Sequence, residues 1–209
     1  MRNCGFEPGD RLSCEWPKKD ERIWVRPDEL KLAIRRPDLS RILAANGFIS
    51  KALSVACPGK WSQFMQPVAS LPRIKMCEDR WVSGKSWEEC GLVQHVEKVI
   101  LETGSHDGCS SLEDVTRRYA RLDKVFDEVK SMGRFKISTE LGLGDEIEEC
   151  LGVLVHVDHE NRPVFGCSGF HRLAIARILR INEIPARIGV VHLDALPFWR
   201  KRFKAASLK

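Results

Sequence analysis

The chain has 209 residues, 43% hydrophobic and 30% charged, with 15 glycines and 10 prolines. That composition excludes a wholly disordered, collagenous or coiled-coil protein, and the length suits one or two domains that bury a core without disulfide staples. The net charge of +5 sits in residues 195–209, where Arg200, Lys201, Arg202, Lys204 and Lys209 meet no acid, while residues 1–194 balance at 29 charges of each sign. Such a tail is either a solvated helix end or a contact for nucleic acid or an acidic membrane surface. Residues 1–22 lack the apolar stretch of a secretory signal. The longest apolar run, 151–157, is broken by His156 and falls far short of the roughly 20 residues a membrane helix needs. Eight cysteines form no CxxC pair, which points to reduced, mostly buried thiols in a soluble cytoplasmic protein.

In chain order, Ile23-Trp24-Val25 reads as a short strand stopped by Pro27, whose fixed φ suits the first turn of a helix through Leu30 to Ile34. A second helix is predicted over Asp38–Asn46, with Gly47 just past its end. Residues 57–72, with three prolines, read as loop, and helices are expected over Leu71–Val82 and Trp87–Leu101. Five of the six tryptophans lie in this half, as expected of a packed core. Residues 104–111 mark the predicted boundary between residues 1–110 and 111–209. Ser110-x-x-Glu113 has the form of a capping box. Leu112, Val115, Tyr119, Leu122, Phe126 and Val129 then recur every three or four residues, so a long amphipathic helix should run to Met132 and stop at Gly133. Beyond it, Leu151–Val157 and Pro163–Phe165 form a predicted hairpin around Asp158–Asn161. A buried helix over Phe170–Arg180, a strand over Ile184–Val191 and a last helix over Leu193–Lys204 complete the chain.

The segment that carries chemistry is Gly166-Cys-Ser-Gly169-Phe-His171-Arg172, a small-residue turn from a strand into a buried helix. Glycines let backbone N–H groups converge on a ligand, and a helix start adds partial positive charge. Arg172 can grip a phosphate bidentately, and His171 can donate or relay a proton. The alternative is a tight turn whose arginine pairs locally. His156-x-x-His159 has metal-like spacing but lacks the third ligand a zinc site needs, so these read as surface or turn histidines, and no metal ligands are assigned.

The stretch Pro163-Val-Phe-Gly-Cys-Ser-Gly-Phe-His-Arg-Leu-Ala-Ile-Ala-Arg-Ile-Leu-Arg-Ile-Asn-Glu-Ile-Pro-Ala-Arg-Ile resembles the signature of the ParB/sulfiredoxin superfamily, Gly-x-x-Arg opening a helix and Ile-Pro entering a strand. Leu122–Gly133 resembles the superfamily's first helix, and the likeness spans about residues 112–192. It implies an α+β fold: a small mixed sheet packed with helices, preceded here by a mainly helical N-terminal region. It also implies binding of a nucleotide, ATP or CTP, with Mg²⁺. Ser168, Gly169, Phe170, His171 and Arg172 fall on the family's phosphate loop, and Asp127 falls at the carboxylate position of the upstream helix used by the free-serine kinases of this fold. His192, after the last strand, would approach the loop. Asp127, His171 and His192 are therefore the candidate catalytic groups. Phe170 stands where sulfiredoxins place their cysteine, Cys167 lies on the wrong side of Gly169, and Ser168 stands where the kinases often have Asp. The helix-turn-helix and dimerising tail of partition proteins have no counterpart in residues 1–110 or after residue 192.

Two functions follow as expectations. One is Mg²⁺-dependent NTP hydrolysis or phosphoryl transfer to a small hydroxyl-bearing acceptor. The other is a nucleic-acid-associated binding module or nuclease, with the basic tail adding weak, non-specific affinity. The charge balance of residues 1–194 favours the first.

Overall fold

The computed structural model describes residues 16–18, 21–49, 53–136 and 152–203. Along the chain come β1 (Arg22–Val25), β2 (Leu32–Ile34), α1 (Arg36–Ala45), β3 (Val55–Cys57), β4 (Met65–Pro67), α2 (Pro72–Trp81) and α3 (Leu92–Thr103). There follow α4 (Leu112–Met132), β5 (Val153–Val157), β6 (Pro163–Phe165), α5 (Phe170–Ile178), β7 (Ile184–His192) and α6 (Trp199–Arg202). The strands form one mixed sheet of seven in the order β1-β7-β5-β6-β2-β4, with β3 also on β7. β7 is its spine. β5 runs parallel to one edge of it, while the other edge takes β1 antiparallel at Ile184–Arg187 and β3 parallel at Val190–His192.

Four of these strands lie within residues 22–67, so the expected mainly helical N-terminal region is corrected: it helps build the sheet. The predicted boundary near residues 104–111 falls between α3 and α4, and the sheet draws on both sides of it. Leu30–Ile34 was predicted as helix, yet Leu32–Ile34 is a strand between β4 and β6. Ala33 and Ile34 are both wholly buried but belong to different core clusters. A strand sends neighbours to opposite faces, and tertiary burial outweighs helix propensity here. Residues 57–72, predicted as loop, hold the end of β3, a 3-10 turn at Trp61–Phe64 and β4. Pro67 is tolerated because β4 lies at the sheet edge.

Alternation along the strands divides the core. Val153, Val155, Phe165, Ile184, Ala186 and Ile188 meet α2, α3, α4 and α5. Ile34, Val164 and Val190 meet α1 and Trp61. Leu173, Ala174 and Ala176 seat α5 on the first side, each 1% exposed or less. α4 appears where the periodicity places it, but its cap is Ser111, whose Oγ accepts from Asp114 N. The predicted capping box is one residue out of register because the Asp114 carboxylate accepts from Ser110 N, Ser110 Oγ and Ser111 Oγ. The predicted last helix is instead a 3-10 turn at Leu193–Ala195 and the four-residue α6, since Pro197 cannot continue a helix. Lys204 and Lys209 lie outside the described residues. No helix among the described residues is long and apolar enough to cross a membrane.

Asp123 fastens α4 to the end of α2. Its carboxylate accepts from Arg80 Nε (3.1 Å) and a terminal nitrogen (2.7 Å), and from the indole N–H groups of Trp81 (3.0 Å) and Trp87 (3.2 Å). Asp123→Ala leaves a guanidinium and two indoles without their acceptor, and should lower the unfolding free energy by about 2–4 kcal/mol. Urea titration followed by tryptophan emission measures this. A change below about 0.5 kcal/mol would show the four bonds to be incidental.

Candidate functional site

The loop between β6 and α5 is fixed by close packing. Gly169 caps α5 at φ +82°, and a Cβ there would stand 2.9 Å from Gly152 O and 3.0 Å from the Val153 Cα. Only glycine fits both the backbone angle and the approach. Leu154 N donates to Ser168 O (3.1 Å), which ties the loop to β5. The amides of the first turn of α5 have no partner within the helix, and the buried helix behind them holds them in place.

The structure separates the residues singled out from sequence. Ser168 is exposed. Phe170 sits edge-on to Phe165 (centroids 5.0 Å apart), with the Arg73 guanidinium 5.5 Å from its ring. Successive helical residues diverge by about 100°. His171 accordingly turns toward α2 and α4, while the Arg172 guanidinium lies 5.6 Å from the ring of Phe135. Asp127 is exposed on α4, about 12 Å along the axis from Tyr119, the α4 residue beside His171. His192 closes β7 at a distance from the loop: its Nδ1 accepts from Asp194 N (3.1 Å) and its Nε2 pairs with Gly59 O (3.0 Å). Both ring nitrogens are engaged in structure. His156 is buried, its Nδ1 accepting from Val190 N (2.9 Å), and His159 is exposed at the turn. Cys167 is half-buried at φ +55°, and burial pushes its thiol up to about 11, so it stays protonated near neutrality.

Around His171 the fold assembles groups that are remote in sequence. Asp107 and Gly108, at φ +55° and +75°, form a tight turn closed by paired backbone bonds of 2.9 Å between His106 and Cys109. This is the geometry that an Asp-Gly pair favours. Arg73, in the first turn of α2, pairs with Asp107 (3.0 Å) and donates to His106 Nε2. α4 brings Arg118 and Tyr119, whose ring centroid is 5.7 Å from that of His171. Tyr119 Oη, Arg118 Nε and His171 Nε2 are buried and have no hydrogen-bond partner among the described residues, and the buried Asp107 Oδ2 beside them has only the Arg73 guanidinium at 3.0 Å.

Electrostatics define their protonation. Burial pushes the His171 imidazole down to about 4; Asp107 pulls it upward, and Arg73 and Arg118 press it further down. It is neutral at pH 7. Burial foremost, then the Asp107 charge, raises the Tyr119 phenol, so it keeps its proton. Burial pushes the Asp107 carboxyl upward, but Arg73 and Arg118 outweigh it and hold the group below the usual carboxylate range. The cluster thus presents two guanidiniums, one carboxylate and two neutral hydrogen-bonding groups.

As a magnesium site this donor set does not fit. Its one carboxylate is already paired with Arg73, and two guanidiniums repel a divalent cation. Among the described residues no three His, Cys, Asp or Glu side chains converge as metal ligands. Sequence reasoning found His171 and missed Arg73, Asp107, Arg118 and Tyr119. The Asp107-Gly108 dipeptide was the one local signal, since such a pair marks a turn that fixes its aspartate. Comparison of the chain with protein-family models, with curated proteins and with solved structures gives no match.

Proposed function

We propose that the protein binds a nucleotide, ATP or CTP, in the manner of the ParB/sulfiredoxin fold, and catalyses NTP hydrolysis or phosphoryl transfer to a small hydroxyl-bearing acceptor. One observation carries the reading: the first turn of α5 delivers His171 into a cluster of Arg73, Asp107, Arg118 and Tyr119. Helix amides and two arginines favour an anion, and little ordering is needed because α5 is packed against the sheet. Phosphoryl transfer is mostly positioning and charge stabilisation, which the guanidiniums supply. Asp107, held below the usual carboxylate range and paired with Arg73, is a weak base; its part is to hold the Arg73 guanidinium in place. The nucleic-acid alternative has weaker support, because Arg200 and Arg202 are occupied by Glu21 and Glu29.

Calorimetry with ATP, ADP, CTP and GTP tests the reading. Arg172→Ala, with its fold checked by circular dichroism, should bind the preferred nucleotide at least about tenfold more weakly, a loss of about 1.4 kcal/mol. Arg172→Lys should restore only part of this, because a point charge cannot replace the planar fork. Absence of nucleotide binding by the wild type at millimolar concentration would overturn it.

A further inference from the structure

We infer that Arg73, Arg118, Tyr119 and His171 receive a terminal phosphate group between α2, α4 and α5. The inference rests on the reading above and names what occupies the inner end of that site.

Polar groups from three helices gather around His171. Tyr119 is only 1% exposed, and among the described residues its hydroxyl, Arg118 Nε and His171 Nε2 have no hydrogen-bond partner, while the buried Asp107 Oδ2 in the same cluster meets only the Arg73 guanidinium. Leaving such groups unpaired away from water costs a fold dearly, and native proteins tolerate it chiefly where a ligand or ordered water completes the set. Arg118 Nε can only donate, the tyrosine hydroxyl donates freely, and neutral His171 donates from Nε2 in one tautomer. With the one carboxylate committed to Arg73, three donors around the Tyr119–His171 ring contact call for an acceptor with several oxygens.

Charge narrows the choice. Arg73 and Arg118 bring two positive charges and Asp107 removes one by pairing with Arg73, so the cluster favours an anion. Shape narrows it further. The site's groups come from three helices and the His106–Cys109 turn, and Tyr119 is buried among them. A terminal phosphate offers three free oxygens and enters by one end. A phosphodiester offers two and carries chain on both sides, a poorer match to donors set as deep as the Tyr119 hydroxyl.

The test uses the full chain, with inorganic phosphate, ATP and a short oligonucleotide lacking terminal phosphates as probes. Wild type should bind phosphate and ATP measurably more tightly than the oligonucleotide. Tyr119→Phe, which removes only the hydroxyl, should weaken phosphate and ATP binding about tenfold while ligand-free Tm stays level or rises. Arg118→Lys keeps the charge, loses Nε, and should weaken both ligands several-fold. Unchanged affinity in both variants, or a Tm fall of several degrees in Tyr119→Phe, would overturn the inference, the latter by showing a structural hydroxyl. Phosphate binding that depends on Tyr119 without nucleotide binding would sustain it and defeat the nucleotide reading. Arg172-dependent nucleotide binding indifferent to Tyr119 would do the reverse, and binding of neither ligand overturns both.

Discussion

Acidification from pH 7 to 4.5 should destabilise the protein by several kcal/mol, chiefly through two histidines held neutral in the fold. Burial first, then the Arg187 charge, pushes His156 down to about 3. His171 is pushed down to about 4 by burial, with Asp107 opposing and Arg73 and Arg118 reinforcing. In the unfolded chain both titrate near the ordinary 6.5. Between that value and the folded ones the unfolded state binds more protons, so stability is complete above about pH 6.5 and is lost as pH falls. By pH 4.5, two units below the ordinary value, each histidine removes at most about 2.7 kcal/mol. Asp107, depressed by its arginines, loses stability in the same direction. Cys57, Cys77 and Cys167, raised by burial to about 11, 12 and 11, contribute below their ordinary 9 and lose stability as pH rises through it. A stability plateau between about pH 6.5 and 9 follows. Urea titrations at pH 7, 5.5 and 4.5, with histidine ring resonances followed by NMR, measure it. A flat profile, or a His156 ring that titrates near 6.5, contradicts the account.

Gly189→Ala should be the most damaging single-methyl insertion in the sheet. Its Cβ would stand 2.5 Å from both Cε1 and Nδ1 of His156 and 3.2 Å from Leu154 Cδ1. The ring cannot step aside, because Nδ1 is held by Val190 N, and Gly166 lies so near Nε2 that a Cβ there would also come to 2.5 Å. Overpacking together with disturbance of a buried hydrogen bond should cost about 3 kcal/mol or more. The cause is isolated by a double-mutant cycle. With His156→Ala in place, Gly189→Ala should cost less by at least about 1.5 kcal/mol. Additive costs would mean that the ring is not what the methyl strikes.

Legibility in the sequence followed the range of the interactions. α4 and the β5–β6 hairpin rest on local periodicity and turn chemistry, and both lie where those signals place them. α5 begins at Phe170 as expected and ends two residues early, at Ile178. The failures are elements whose state is set by distant partners. Leu32–Ile34 is extended because β4 and β6 flank it, and β3 is a strand because β7 offers it an edge. Three-residue strands carry too little pattern of their own. The site divides in the same way. Gly169 and His171 belong to one continuous motif and were visible, whereas Arg73, Asp107 and Arg118 meet them only through helix packing. Asp127 and His192 were placed by resemblance alone, and their side chains lie elsewhere.

The place of β7 bears on how the chain acquires its shape during synthesis. Both β1 and β3 lean on a strand made more than a hundred residues later, and their registers at Arg22–Arg187 and Cys57–His192 close very long loops. A nascent chain leaving the ribosome can form α3 and α4 early, but its first strands remain without a template until residue 192 has emerged. Pairing at such sequence separation is entropically late and slow. The unpaired edges of Ile23–Val25 and Val55–Cys57 are meanwhile the segments most open to capture by another chain. Assembly of this sheet is therefore governed from its C-terminal strand backward, against the direction in which it is made.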